Sequence, residues 1–129
     1  MKSYKLPFSL LFLLLLAFSH IGFSQQLPQQ DRSAADVAGT WMIYTHGDDG
    51  KTGTHTVQIV QNGNTLTGHF KGPNQSGGIE GTMNFRHIVF RTKTRNVLTF
   101  RGMVDGNTMH GTWGIHGRPG EWSATRLND

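Results

Sequence analysis

The chain has 129 residues, 17 glycines, no cysteine and a formal net charge of +4. That length holds one domain with a modest core, and the missing thiols exclude disulfides and cysteine nucleophiles. Two of the twelve Lys and Arg, Lys2 and Lys5, fall in the leader segment; ten then face eight Asp and Glu, too small an excess to argue for nucleic acid.

Residues 1–24 read as a signal peptide. Lys2 and Lys5 form a basic start, Leu10 to Phe18 an apolar run, and Gly22-Phe23-Ser24 a small-x-small cleavage pattern. The run is too short to span a membrane, and no cysteine near the cut could carry a lipid. These features predict a secreted product, periplasmic or extracellular, with no membrane span. Residues 25–36 are polar, Pro-containing and aperiodic, and read as a flexible leader.

From residue 37 to 129 the sequence predicts one all-β domain. Eight runs, 38–46, 54–61, 65–72, 77–83, 87–93, 97–104, 108–114 and 120–127, alternate apolar with polar and are parted by Gly, Asn, Asp and Pro. The turn in Asn62-Gly63-Asn64-Thr65-Leu66 returns as Asp105-Gly106-Asn107-Thr108-Met109, an offset of two hairpins. An eight-stranded antiparallel up-and-down barrel is the expected architecture.

Period-2 parity then divides the residues between two faces. Trp41, Ile43, Val57, Ile59, Leu66, Phe70, Ile79, Met83, Ile88, Phe90, Leu98, Phe100, Val104, Met109, Trp113 and Trp122 point inward. So do Gly68, Gly81, Gly102, Gly111 and Ala124, which at one level leave room near the axis for aromatic rings or for a small ligand. Turns 62–65, 84–87 and 105–108 share one short-turn end; loops 46–54, 72–77, 93–97 and 114–120 share the other, and variable loops on a rigid scaffold make that end the functional one.

Gly39-Thr40-Trp41 on the first strand, with Arg126 closing the last, resembles the structural signature of the calycins: lipocalins, fatty-acid-binding proteins and avidins. The resemblance implies that Trp41 and Arg126 stack to shut the short-turn end. With Leu66-Thr67-Gly68 the chain looks most like the avidins in size and meander, and is also similar to small exported bacterial barrels. It departs from avidins at Met42-Ile43-Tyr44, where they carry polar residues for biotin's ureido group, so the resemblance implies a generic apolar guest.

Other constellations are weaker. His69, His87 and His110 fall outward on non-adjacent strands and cannot converge on one ion, while His46, His55 and His116 share the loop end without an evident common partner. No metal site and no cofactor is expected. Gly50-Lys51-Thr52 lacks the earlier glycine and the helix of a phosphate loop. Arg86, Arg91, Lys93, Arg95 and Arg101 form a cationic stripe, read as a solvated face. No acid, base and nucleophile set assembles, so no enzyme is expected.

Two functional readings follow. In the first, a secreted barrel holds a small, mostly apolar molecule at the loop end, lined by His55, Phe70, Ile79, Phe100, Trp113 and Trp122. In the second, the barrel core is packed and loops 46–54 and 114–120 meet a protein partner as an interaction or inhibitor module. An empty cavity open at the loop end favours the first; a core filled by aromatic rings favours the second.

Overall fold

The computed structural model describes residues 33–128; the signal-peptide reading and most of the leader lie outside them. The described residues contain no helix, and none that could cross a membrane. Eight strands, β1 (Gly39–Gly47), β2 (Thr52–Asn62), β3 (Thr65–Lys71), β4 (Ser76–Asn84), β5 (His87–Lys93), β6 (Thr99–Asp105), β7 (Thr108–Ile115) and β8 (Arg118–Arg126), pair in sequence order. The sheet closes where β1 meets β8, with Trp41 opposite Arg126 and Thr45 opposite Trp122. Closure removes both sheet edges, which a small domain without disulfides would otherwise have to protect.

Parity assigned the faces correctly. Trp41, Phe70, Phe90, Phe100 and Leu66 are fully buried, whereas the intervening Thr, His, Gln and Lys side chains face outward. Apolar-in and polar-out is the inverse of a lipid-facing barrel. The middle of the barrel is packed with rings: Phe90 stacks on Phe100 with centroids 4.8 Å apart, and Trp122 meets both edge-on at 6.1 and 5.4 Å.

The inward glycines do something other than leave room. A side chain on Gly68 would run into the Gln58 carbonyl on β2, and one on Gly111 into the Arg101 carbonyl on β6. These glycines let neighbouring backbones bend into each other as a narrow barrel closes. A Cβ on Gly102 would run into the His110 carbonyl and would also lie 2.9 Å from Trp122 Cζ2, so this glycine makes room for the Trp122 indole as well.

The short-turn end is a built floor. Turns 62–65, 84–87 and 105–108 each leave two residues between strands, with φ positive at Gly63, Phe85 and Gly106. Arg126 lies with its guanidinium carbon 4.5 Å from the centre of the Trp41 ring. The same guanidinium donates to the carbonyls of Asp36 and Ala38 and, through Nε, to Asn107 Oδ1 at 3.0 Å.

The segment ahead of β1 is also tied down. Trp41 Nε1 donates to the Val37 carbonyl at 2.9 Å, Val37 N to Gln61 Oε1 at 2.8 Å, and Ala35 N to the Phe85 carbonyl at 2.8 Å. Residues 33–36, read from the sequence as the end of a flexible leader, thus cross the floor of the barrel. Both backbone groups of Ala35 are paired, its N–H with the Phe85 carbonyl and its carbonyl with Gln61 Nε2 at 2.9 Å.

Candidate functional site

Two corrections apply at the opposite end. The loop expected at 114–120 is a two-residue turn, His116-Gly117, with φ of 51° and 77° at its two central residues as a type I′ hairpin requires. The loop expected at 46–54 shortens to residues 48–51, because Thr45↔Gly53 and His46↔Thr52 continue the ladder. The rim is therefore made chiefly by residues 72–75 and 94–98. Gln75 clamps the backbone of Asn96, donating to its carbonyl at 2.6 Å and accepting from its N–H at 3.2 Å, and His116 Nε2 bonds Asn96 Oδ1 at 3.0 Å.

The register of the last hairpin separates the two tryptophans that the sequence reading placed together in the lining of the loop-end site. With the turn at 116–117, Trp113 faces Gly120 and Trp122 faces Gly111. Trp122 drops into the packed middle, its Nε1 donating to the Arg101 carbonyl at 3.0 Å. Trp113 stays at the mouth, part-buried, its ring 6.4 Å from Phe100 and nearly parallel to it.

Between Trp113 and the rim loops lies a cup of about 290 Å³. His55, Phe70, Leu98, Trp113 and Ile115 supply its apolar and aromatic lining, with Thr45, Gln75 and Asn96 among its polar groups. Of the six residues proposed from sequence, His55, Phe70 and Trp113 line it. Ile79, Phe100 and Trp122 are buried and do not. The parity argument could not see this, because it assigns a face and not a depth. Leu98 was placed inward but not in the site, and Asn96 and Gln75 were missed; loop residues carry no periodic signal.

Two of the lining residues also carry buried atoms of an unusual kind. His55 Nδ1 and Trp113 Nε1 are buried and have no hydrogen-bond partner. The other His55 nitrogen lies 3.2 Å from Thr45 Oγ1, which also reaches the Gly53 carbonyl at 3.4 Å; whichever way the hydroxyl points, Nδ1 stays unpaired. Burial pushes the His55 pKa below its ordinary value, so the imidazole is held neutral at pH 7. A buried polar group without a partner costs about 1–3 kcal/mol, and native structures keep few of them.

The remaining chemistry is dispersed. His46 faces outward, His55 inward, and His116 is engaged at the rim. Among the described residues no three His, Asp or Glu come together to hold a metal ion. The cationic stripe is partly neutralised: Glu80 bonds Arg91 at 2.7 Å and lies 3.8 Å from Lys93, and the Arg91 guanidinium holds its carboxyl below the usual range. Arg86 lies 3.8 Å from Asp105. Asp48 pairs with Arg118 at 3.3 Å, and Asp49 accepts from Lys51 N, closing the β1–β2 turn as a hairpin and not as a phosphate loop. Broad grooves on the outer wall, one along Thr67 and Arg101 and one around Tyr44, carry no buried unpaired group among the described residues.

Eight meandering strands, a shut floor and a cup at the opposite mouth define a closed up-and-down barrel with one sealed and one open end. Among solved structures the chain is similar to a redesigned β-barrel, with a TM-score of 0.62 at 12% identity, covering 71% of this chain and 92% of the other. It also matches a Schistosoma mansoni fatty acid binding protein in complex with arachidonic acid (TM-score 0.49, 16% identity, 70% and 96% coverage). Echinococcus granulosus fatty-acid-binding protein 1 matches at a TM-score of 0.49 and 11% identity, over 71% and 98% of the two chains. At these identities the likeness is one of fold. No family model and no curated protein sequence matches the chain.

Proposed function

We propose that this protein is an exported binding barrel that takes a small, mostly apolar molecule into the cup at its loop end. The observation that carries this reading is the convergence of Phe70, Leu98, Trp113 and Ile115 on one opening that the polar side chains of Thr45, Gln75 and Asn96 also line. Small-molecule sites combine a mainly apolar lining with a few convergent polar groups, and about 290 Å³ is at the small end of their range. The packed rings beneath the cup set its depth, so the guest is compact. Titration of the barrel with a panel of small aromatic and aliphatic compounds, followed by tryptophan fluorescence, tests the reading. Saturable change lost on Phe70→Ala or Leu98→Ala supports it, and a flat response across the panel removes it.

The filled middle of the barrel favours a second reading, in which the rim meets a protein partner and the core is only a scaffold. In that case binding of a partner recovered from secreted extracts depends on residues 48–51 and 72–75. It is then indifferent to substitutions inside the cup.

A further inference from the structure

We propose that His87, Met103 and His110 form a binding site for monovalent copper on the outer wall of the barrel. The site lies on the consecutive strands β5, β6 and β7 and is independent of the cup.

The register sets the three side chains in one row. His87 stands opposite Met103 across β5 and β6, and Met103 stands opposite His110 across β6 and β7. All three face away from the core. Their strand neighbours Ile88, Val104 and Met109 are buried, whereas His87 and His110 are exposed and Met103 is half-buried. Side chains directly opposed on one face of a sheet have Cβ atoms about 4.5–5.5 Å apart. The sequence alone keeps His87 and His110 apart, because a strand lies between them. That strand carries a thioether at the level of both rings, so an ion over Met103 has an imidazole on either side.

The three groups are free to act together. Neither ring of His87 and His110 makes a hydrogen bond or ion pair among the described residues, so both can lean over Met103 on the convex wall. No third His, Asp or Glu joins them, which leaves the thioether as the third donor. Met83 and Met109 are core residues; Met42 and Met103 face outward. Met42 is flanked by Thr56 and Thr125 and has no imidazole beside it.

The donor set selects the ion. A soft thioether with two neutral imidazoles suits copper(I), while calcium and magnesium want several oxygens and negative charge. The row itself holds no carboxylate: it continues to Asn84 beyond His87 and to Ser123 beyond His110. Carboxylates stand on the adjoining levels, where Asp105 lies 3.8 Å from Arg86 and Glu121 shares its level with Arg101. Nothing in the row therefore offers the charge that a hard divalent ion requires.

Competition of the full chain with bicinchoninate for copper(I), kept reduced by ascorbate, tests the site. The unaltered chain should withdraw a single copper(I) ion from the chelator. Met103→Leu, His87→Gln and His110→Gln should each weaken that binding about tenfold or more. Met42→Leu should leave it unchanged, as should His69→Gln, whose ring stands between Gln58 and Gly78. Silver(I), of the same charge and softness, should shift the NMR methyl resonance of Met103 and leave those of Met42, Met83 and Met109 in place. That measurement needs no substitution, so it decides the matter even where a variant fails to fold. Copper(I) left wholly with the chelator, binding that survives Met103→Leu, or a silver-induced shift at Met42 in place of Met103 overturns the proposal.

Discussion

The Arg126 guanidinium lies over the Trp41 indole, 4.5 Å from its centre, on the two strands whose pairing closes the barrel. It also gathers the carbonyls of Asp36 and Ala38 and the side chain of Asn107, so one cation joins the segment ahead of β1, the last strand and the β6–β7 turn. Arg126→Ala is expected to cost roughly 2–4 kcal/mol, from the cation–π contact and several charge-assisted hydrogen bonds. Arg126→Lys, which keeps the charge but loses the planar fork, should recover less than half of that. Urea unfolding checks both, and a loss below about 1 kcal/mol for the alanine variant would mean the stack contributes little in water.

Phe100 touches the rings of Phe70, Phe90, Trp113 and Trp122 and forms the packed bed under the cup. Phe100→Ala should destabilise the barrel by about 3–5 kcal/mol, as burial and cavity costs combine. If the cup is a binding site, the same change deepens it, and an acyl chain such as decanoate should then bind more tightly than it does to the unaltered chain. Urea unfolding and dialysis read the two effects separately. A destabilised variant that binds decanoate no better than the unaltered chain would show that the neighbouring rings collapse into the space.

Gly111 backs onto the Arg101 carbonyl so closely that a Cβ there has no space. The obstacle is backbone, which cannot turn aside. Gly111→Ala is expected to cost more than about 3 kcal/mol or prevent folding, among the largest effects of any single methyl. Gly114→Ala, on the same strand with only an ordinary contact at 3.7 Å, serves as the control and should stay within about 1 kcal/mol. Thermal unfolding of the pair tests whether close strand approach is what the mid-strand glycines provide.

His55 is held neutral by burial, its pKa lowered from an ordinary 6.5. The unfolded chain then takes up a proton more readily than the folded one, so acid favours unfolding. Stability contributed by the neutral imidazole is full above the unfolded pKa near 6.5 and declines as pH falls below it, levelling off once the folded pKa is passed. Thermal midpoints should drop between pH 7.5 and 5, and His55→Phe should remove that part of the slope. Asp49 and Glu80 have lowered pKa values and act in a separate, more acid range, where their stabilisation is lost as pH falls. An unchanged slope in His55→Phe would place the acid sensitivity elsewhere.

Gly72 backs His55 and Phe70, with a built Cβ 2.8 Å from His55 Nδ1 and 3.1 Å from Phe70 Cε1. Here the obstacles are side chains, so Gly72→Ala should fold and press both rings into the cup. Binding of any compound that shifts the tryptophan fluorescence of the unaltered chain should fall at least tenfold, with a stability change within about 1–2 kcal/mol. Unaltered binding would show that the rings yield in another direction.

How much of this was legible in the residues themselves depends on the range of the interaction concerned. Alternation over Trp41-Met42-Ile43 or Phe70, and turn chemistry at Asn62-Gly63 and Asp105-Gly106, are local, and they set the strands, the faces and the meander without reference to the rest of the chain. The stack of Arg126 on Trp41 was implied by the resemblance to the calycin signature, and closure of an eight-stranded meander accommodates it by making first and last strands neighbours. Depth was not. Whether Trp113 or Trp122 stands at the mouth depends on which two residues make the last turn, and a shift in that pairing moves a side chain along the axis without changing its face. The clamp of Gln75 on Asn96, the close strand contacts at the glycines and the two unpaired nitrogens depend on distances between segments far apart in sequence. Those distances exist only once the sheet has closed on itself.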